Sequence, residues 1–277
     1  MDKVATLGPS NTFSALAAER YTHEAGRDYS IALFPTMGKA IGAVGKGCRC
    51  AVVPIENMAE GYVSIVLDLL IRNNLSIIHE LLLPIQFSFA ANCDSLQAVD
   101  KVYAQFVAQG QCEQFLDSLH DVPVITTQSN GASCEQLCKG VSNEGAIVPA
   151  FAVKFGAFPL VVEDIADRDN NCTRFIAVAA EPQPYDPSLR YKTTLLIVES
   201  VDRPGMLADI LAGFAKRNIN LVSIMSRPTK EMMGRYHFFI DVEGHCREAR
   251  IAEVLDELRR ENTIRVLGSY PKAQSPS

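Results

Sequence analysis

The 277-residue chain lacks most of the patterns that mark membrane, nucleic-acid, metal or nucleotide function. No apolar run approaches the roughly 20 residues that span a bilayer. The opening MDKVATLGPSNTFS has no basic-then-apolar layout, so neither an anchor nor an export signal is expected, and a cytoplasmic setting is. Positive charge is not in excess: 26 Lys and Arg against 32 Asp and Glu give a net charge of −6, without a basic run, which argues against a nucleic-acid partner. Eight cysteines, at 48, 50, 93, 112, 134, 138, 172 and 246, form no CxxC pair and no Cys/His spacing suited to zinc, so they read as free thiols and no metal is expected. Patterns of the GxSxG, HExxH, phosphate-loop and GxGxxG kinds are missing. None of the five histidines stands beside a candidate loop, so hydrolase, kinase and dinucleotide chemistry have no support.

What is present is a 48% hydrophobic chain long enough for two compact domains. Short apolar strands alternate with helices in the first segment (KVATLG, a helix from Thr12, YSIALF, CAVVPIE). The alternation restarts near Leu75 (SIIHELLLPIQFSFAAN, VDKVYAQ, PVITTQ, a helix from Ser133, GAIVPAFAVKFG) and closes with LVVEDI and TRFIAVAA. Such order predicts α/β lobes with binding loops at strand ends and a cleft between them. Residues 1–180 are taken as this two-lobed region, its second lobe about 80–160. Three prolines in EPQPYDPSLR predict a linker over 181–191. Residues 192–272 then read βαββαβ, the ferredoxin-like pattern, ahead of a frayed KAQSPS tail.

Three loops carry candidate chemistry. GPSNTFS follows a strand and opens a helix; its backbone N–H groups suit an anion, although Thr12 as a plain helix cap explains the same residues. In VVPIENMAEG, Glu56 and Asn57 follow a buried strand, either as substrate contacts or as groups that settle the next helix. NNCTRF sets Thr173, Arg174 and Phe175 in a row, a hydroxyl donor, a guanidinium fork and an apolar wall for a small dianion. The alternative there is an ordinary strand beside a surface arginine. In DRPGMLADIL a helix opens at Pro204 and Gly205, with Asp202 or Arg203 near its cap.

Together, in order, GPSNTFS, VVPIENMAEG, LLLPI, Gln111-Cys112, NNCTRF, RPGML, NINLVSIMSRP and GRYHFFIDVEGH resemble the prephenate dehydratases that carry a C-terminal ACT regulatory domain. The resemblance implies a two-lobed fold like type II periplasmic binding proteins, plus a ferredoxin-like ACT domain. It implies conversion of prephenate to phenylpyruvate, water and carbon dioxide, without a cofactor, in L-phenylalanine biosynthesis. It gives Thr173 the catalytic role and Thr12, Glu56, Asn57, Asn130, Arg174 and Phe175 substrate contacts. It assigns Gly205, Met206, Leu207, Asn220, Leu221, Ser226, Arg227 and Pro228 to a phenylalanine effector site across ACT interfaces of a homodimer or homotetramer. The chain departs from the family at Asn11, Met58, Asn130, Met225 and the Ala104–Val107 stretch, where Ala104, Gln105, Phe106 and Val107 stand at the family's SHPQ element and its histidine and glutamine are lost. Those departures keep open a non-catalytic ligand sensor or another prephenate-consuming enzyme, and arogenate as substrate.

Overall fold

The computed structural model describes residues 2–153, 158–198 and 204–273. The first sheet is built from β1 (Lys3–Leu7), β2 (Ser30–Phe34), β3 (Cys50–Asn57), β4 (Gly61–Tyr62), β5 (Ser76–Pro84) and β11 (Cys172–Ala179). Helices α1 (Phe13–Glu24), α2 (Met37–Gly42) and α3 (Ser64–Arg72) alternate with the early strands. The strand order is β2-β1-β3-β11-β5, with β4 turned back on β3 and β1 parallel to both β2 and β3. Apolar strands buried on both faces demand this cover of helices. Helix α1 supplies one of them through Ala15, Ala17, Ala18 and Tyr21.

The chain passes to a second sheet at Ile85–Gln86 and returns along residues 163–171. That sheet holds β6 (Phe87–Ala91), β7 (Lys101–Gln105), β8 (Val124–Thr127), β9 (Glu144–Pro149) and β10 (Leu160–Val162), ordered β10-β6-β9-β7-β8. Between its strands lie α4 (Phe106–Gln111), α5 (Glu113–Ser118), α6 (Asn130–Leu137) and α7 (Ala150–Val153). Phe87, Phe89, Val102 and Ile147 centre its core, each fully buried side chain of this size stabilising by about 1.5–3 kcal/mol. The two crossing segments are tied by Ile85 N–H donating to the Asn171 carbonyl at 2.9 Å. Helix α6 starts at Asn130, three residues before the expected Ser133, because Ser129 accepts from Ala132 N–H and caps it.

Residues 181–190 carry neither helix nor strand. The last sheet orders β12 (Tyr191–Val198), β13 (Leu221–Pro228), β14 (Tyr236–Glu243) and β15 (Thr263–Pro271) as β13-β14-β12-β15, with α8 (Met206–Ala215) and α9 (Ala249–Leu258) as its helices. This is the expected βαββαβ domain. Ile197, Ile210, Phe214, Ile240 and Val254 fill its core. The expected cap at Asp202 or Arg203, the end of strand TTLLIVES, residues 154–156 of GAIVPAFAVKFG and residues 274–277 of the tail lie outside the described residues.

The described residues form two compact units, 2–66 with 82–175, and 67–81 with 176–273. Placing 67–81 with the C-terminal domain is a finding the sequence pattern did not foreshadow. Its basis is polar: Arg227 grips Asp68 through two bonds of 2.8 and 2.9 Å, Lys230 reaches the same carboxylate at 2.6 Å, and Arg265 donates to the Ile71 and Asn73 carbonyls. Lys192 and Glu80 form a buried ion pair at 2.7 Å. Gly268 lets β15 lie against the backbone of Ile77, where any Cβ would overlap the Ile77 carbonyl. No helix among the described residues is long and apolar enough to cross a membrane.

Candidate active site

Strands β3 and β11 are neighbours in the first sheet, and their ends bring two pairs of side chains together. Asn57 Nδ2 donates to Thr173 Oγ1 at 2.8 Å and to the Cys172 carbonyl at 3.4 Å. Asn57 Oδ1 accepts from the N–H groups of Ala59 and Glu60, at 2.9 and 3.0 Å, which fixes which end of the amide faces Thr173. A hydroxyl that accepts from an amide keeps its own proton to donate. Thr173 is 7% exposed, so that donor sits in a weakly screening environment. One residue on, side chains alternate to the other face of the strand, and Arg174 Nε meets Glu56 Oε2 at 3.5 Å.

A cleft of about 400 Å³ opens beside the Asn57 turn, where Ala59 and Glu60 meet Gln111, Glu113, Arg168 and Asn171. Its far wall is braced by reciprocal polar contacts. Asn171 Nδ2 donates to Gln111 Oε1 at 2.9 Å and Gln111 Nε2 to Glu60 at 3.4 Å. The Asp167 carboxylate accepts from the first two N–H groups of α5, while Asp167 N–H donates to the Gln111 carbonyl. Cys112 and Cys172 beside this network are neutral thiols, pushed up by burial, Cys112 to about 12, so neither offers a thiolate.

The structure treats the expected contacts unequally. Glu56, Asn57, Thr173 and Arg174 are gathered as one hydrogen-bonded pair and one ion pair. Thr12 is the cap of α1: its hydroxyl accepts from Ala15 N–H and donates to the Pro9 carbonyl, both of its capacities used within the turn. The loop around it nevertheless touches the second lobe. The first turn of α6 lies so close that a Cβ on Gly131 would stand 2.5 Å from the Ser10 carbonyl, and the Phe13 ring packs edge-on against Phe87 and Phe151. Asn11 takes the positive φ, 59°, that its loop requires. Asn130 opens α6, its Oδ1 buried without a partner among the described residues.

Phe175, expected as an aromatic wall, is 2% exposed and sits in the core two residues along β11 from Thr173. Gln105 caps α4 by accepting from the Val107 and Ala108 N–H groups, whereas Met58, Phe106 and Val107 are exposed. Gln111, Asn171 and Asp167 went unassigned in the sequence reading. Their signal was the DRDNNC run before Thr173 and the Gln111-Cys112 element, but their partners lie 53 to 60 residues apart.

At the C-terminal domain, Gly205 has φ 85° at the cap of α8, with open space where a Cβ would stand. Asn220, Ser226 and Pro228 are exposed, and Arg227 is engaged by Asp68.

Similarity to known proteins agrees with these motifs. The prephenate dehydratase family model matches residues 4–183 and the ACT domain model residues 194–260. The chain is 34% identical over 278 residues to the bifunctional chorismate mutase/prephenate dehydratase of Aquifex aeolicus, covering 98% of this chain and 74% of that protein. It is 33% identical over 277 residues to the prephenate dehydratase of Amycolatopsis methanolica, covering 99% and 90%. The crystal structure of prephenate dehydratase from Arthrobacter aurescens in complex with L-Phe superposes with a TM-score of 0.85 at 31% identity, covering 99% of this chain and 92% of that one. With a paired threonine and asparagine at the ends of two adjoining strands, a braced cleft beside them and matches along nearly its full length, the chain belongs to the prephenate dehydratase family and carries a C-terminal ACT domain.

Proposed function

We propose that the protein is a prephenate dehydratase, a lyase that removes water and carbon dioxide from prephenate to give phenylpyruvate for phenylalanine synthesis. The observation that carries the reading is the Asn57-to-Thr173 hydrogen bond, which leaves the buried hydroxyl with a proton to give. In the reaction the bond from the ring to its carboxylate breaks, that electron pair enters the ring, and the ring C–O bond breaks with its pair on the departing oxygen. One proton is taken up and water leaves. Thr173 hydrogen-bonds and protonates that oxygen and is reset from solvent. Aromatisation supplies the driving force, so positioning and a preorganised donor are what the protein must add. No step requires a cofactor.

Replacing Thr173 with alanine is expected to lower kcat by about 10²–10⁴-fold, the range for a positioned proton donor, while Thr173→Ser retains part of the activity. Phenylpyruvate formation is followed by its ultraviolet absorbance. A folded Thr173→Ala variant with full turnover overturns the assignment, and a native protein that binds prephenate without product points to the sensor reading instead. Eight free thiols, most of them buried, support a reducing, cytoplasmic setting. Phenylalanine as effector is part of the same reading, supported by the ACT match and by the open left-handed turn at Gly205, and so is assembly as a homodimer or homotetramer.

A further inference from the structure

A dianionic substrate needs a cation, and Arg174 is an unpromising one. It is 8% exposed and held against Glu56. The cleft wall is otherwise acidic, with Glu60, Glu113 and Asp167 on it. Among the described residues the single cation on that wall is Arg168. Arg168 is exposed and also lines a second cavity of about 270 Å³ with Gln86, Asp164 and Asp169. It has no ion-pair partner among the described residues.

Its backbone is held on both sides. Asp167 binds the α5 amides and the Gln111 carbonyl, and Asn171, 5% exposed, binds the Gln111 side chain. The guanidinium therefore hangs from a segment anchored to α4 and α5. That anchoring also connects it to the catalytic pair: Asn171 precedes Thr173 by two residues, and Asn57, bonded to Thr173, holds the Ala59–Glu60 turn that lines the same cleft. An acidic cleft would repel a dianion unless this charge met it, and a guanidinium fork matches a carboxylate edge.

The geometry points to Arg168, rather than Arg174, as the residue that holds a substrate carboxylate in the cleft. This rests on the dehydratase reading for the identity of the ligand. Losing a hydrogen-bonded charge contact should raise KM for prephenate by about ten- to a hundredfold with kcat little changed. The test is Arg168→Gln against Arg168→Lys in the full-length protein, with steady-state kinetics and, on a Thr173→Ala background, calorimetry of prephenate binding. The expected result is weakened binding in Arg168→Gln, partly recovered by Arg168→Lys. Unchanged KM and unchanged calorimetric affinity in Arg168→Gln overturn the proposal. If the native protein forms no phenylpyruvate, the functional reading fails separately, and the binding comparison still decides whether Arg168 holds the dianion.

Discussion

At the scale of single residues, the polarity of one hydrogen bond separates a working donor from an inert hydroxyl. Asn57 gives Thr173 a proton donor to accept from. Asn57→Asp is nearly isosteric and still accepts from the Ala59 and Glu60 amides, but a carboxylate would take the Thr173 proton for itself. Activity should fall by about 10²-fold or more with little change in stability, read from phenylpyruvate formation beside a thermal melt; full activity would show that the direction of the bond is immaterial. Gly131 tests the approach of the lobes within the first unit. Gly131→Ala sets a methyl 2.5 Å from the Ser10 carbonyl and 2.8 Å from Pro9 Cγ, so backbone must shift, and kcat/KM should drop even though the residue touches no substrate. Glu56 and Asn57 close the apolar strand β3 and Thr173 stands at the start of β11, and the sequence motifs place all three at strand ends. The Asn171–Gln111–Glu60 brace has no local pattern in the sequence, because its successive partners lie 60 and 51 residues apart.

At the scale of elements, helix α3 is where chain order and spatial grouping part company. Its residues from Leu67 onward belong with the C-terminal unit, and Asp68 explains part of the attachment. The Arg227 hydrogen bonds, helped by Lys230, hold its carboxyl at about 2, well below the ordinary 3.8. A carboxyl depressed on folding contributes stability that is complete above its unfolded value and disappears as the pH falls through the folded one. The contribution of Asp68 should therefore vanish between roughly pH 4 and pH 2. Denaturant unfolding across that window should show a steeper acid loss in the native protein than in Asp68→Asn; identical slopes would disprove the assignment. Glu80 and Lys192 make a second, deeper attachment, with side chains 1% and 7% exposed. Glu80→Gln strands a buried ammonium and should cost about 3–5 kcal/mol. The element types themselves were readable from alternating apolar strands and helical spacing. What the pattern could not give was which sheet the SIIHELLLPIQFSFAAN run joins, since it feeds both through β5 and β6.

At the scale of the whole molecule, the effector motifs that sit together in sequence stand apart in space. Strands β12 and β13 each pair antiparallel to β14, so they run parallel; Leu221 is level with Thr193, both opposite Val242, and Ser226 with Ile197, both opposite Phe238. Helix α8 runs back from Gly205 to a C-terminus beside Ile219, whose N–H reaches the Phe214 carbonyl. Gly205 and the Asn220–Leu221 start of β13 are thus separated by the helix length, about 15 Å at 1.5 Å per residue. One phenylalanine cannot bridge the two within a chain. β13 is the sheet edge, with Val222 and Ile224 exposed, and two copies meeting antiparallel along that edge would set the Gly205 turn of each against the Asn220 end of the other, an isologous contact with two equal sites. Two variants test this. In Gly205→Asp the carboxylate tolerates a positive φ but repels the carboxylate of the effector, and Asn220→Ala removes the opposite half. Alone, each should fail to bind phenylalanine in calorimetry; mixed and allowed to exchange, they should regain binding, because a mixed dimer keeps one intact site of its two. Recovery would require a composite site, whereas mixtures as inert as either variant would place all effector contacts within one chain and refute the shared arrangement.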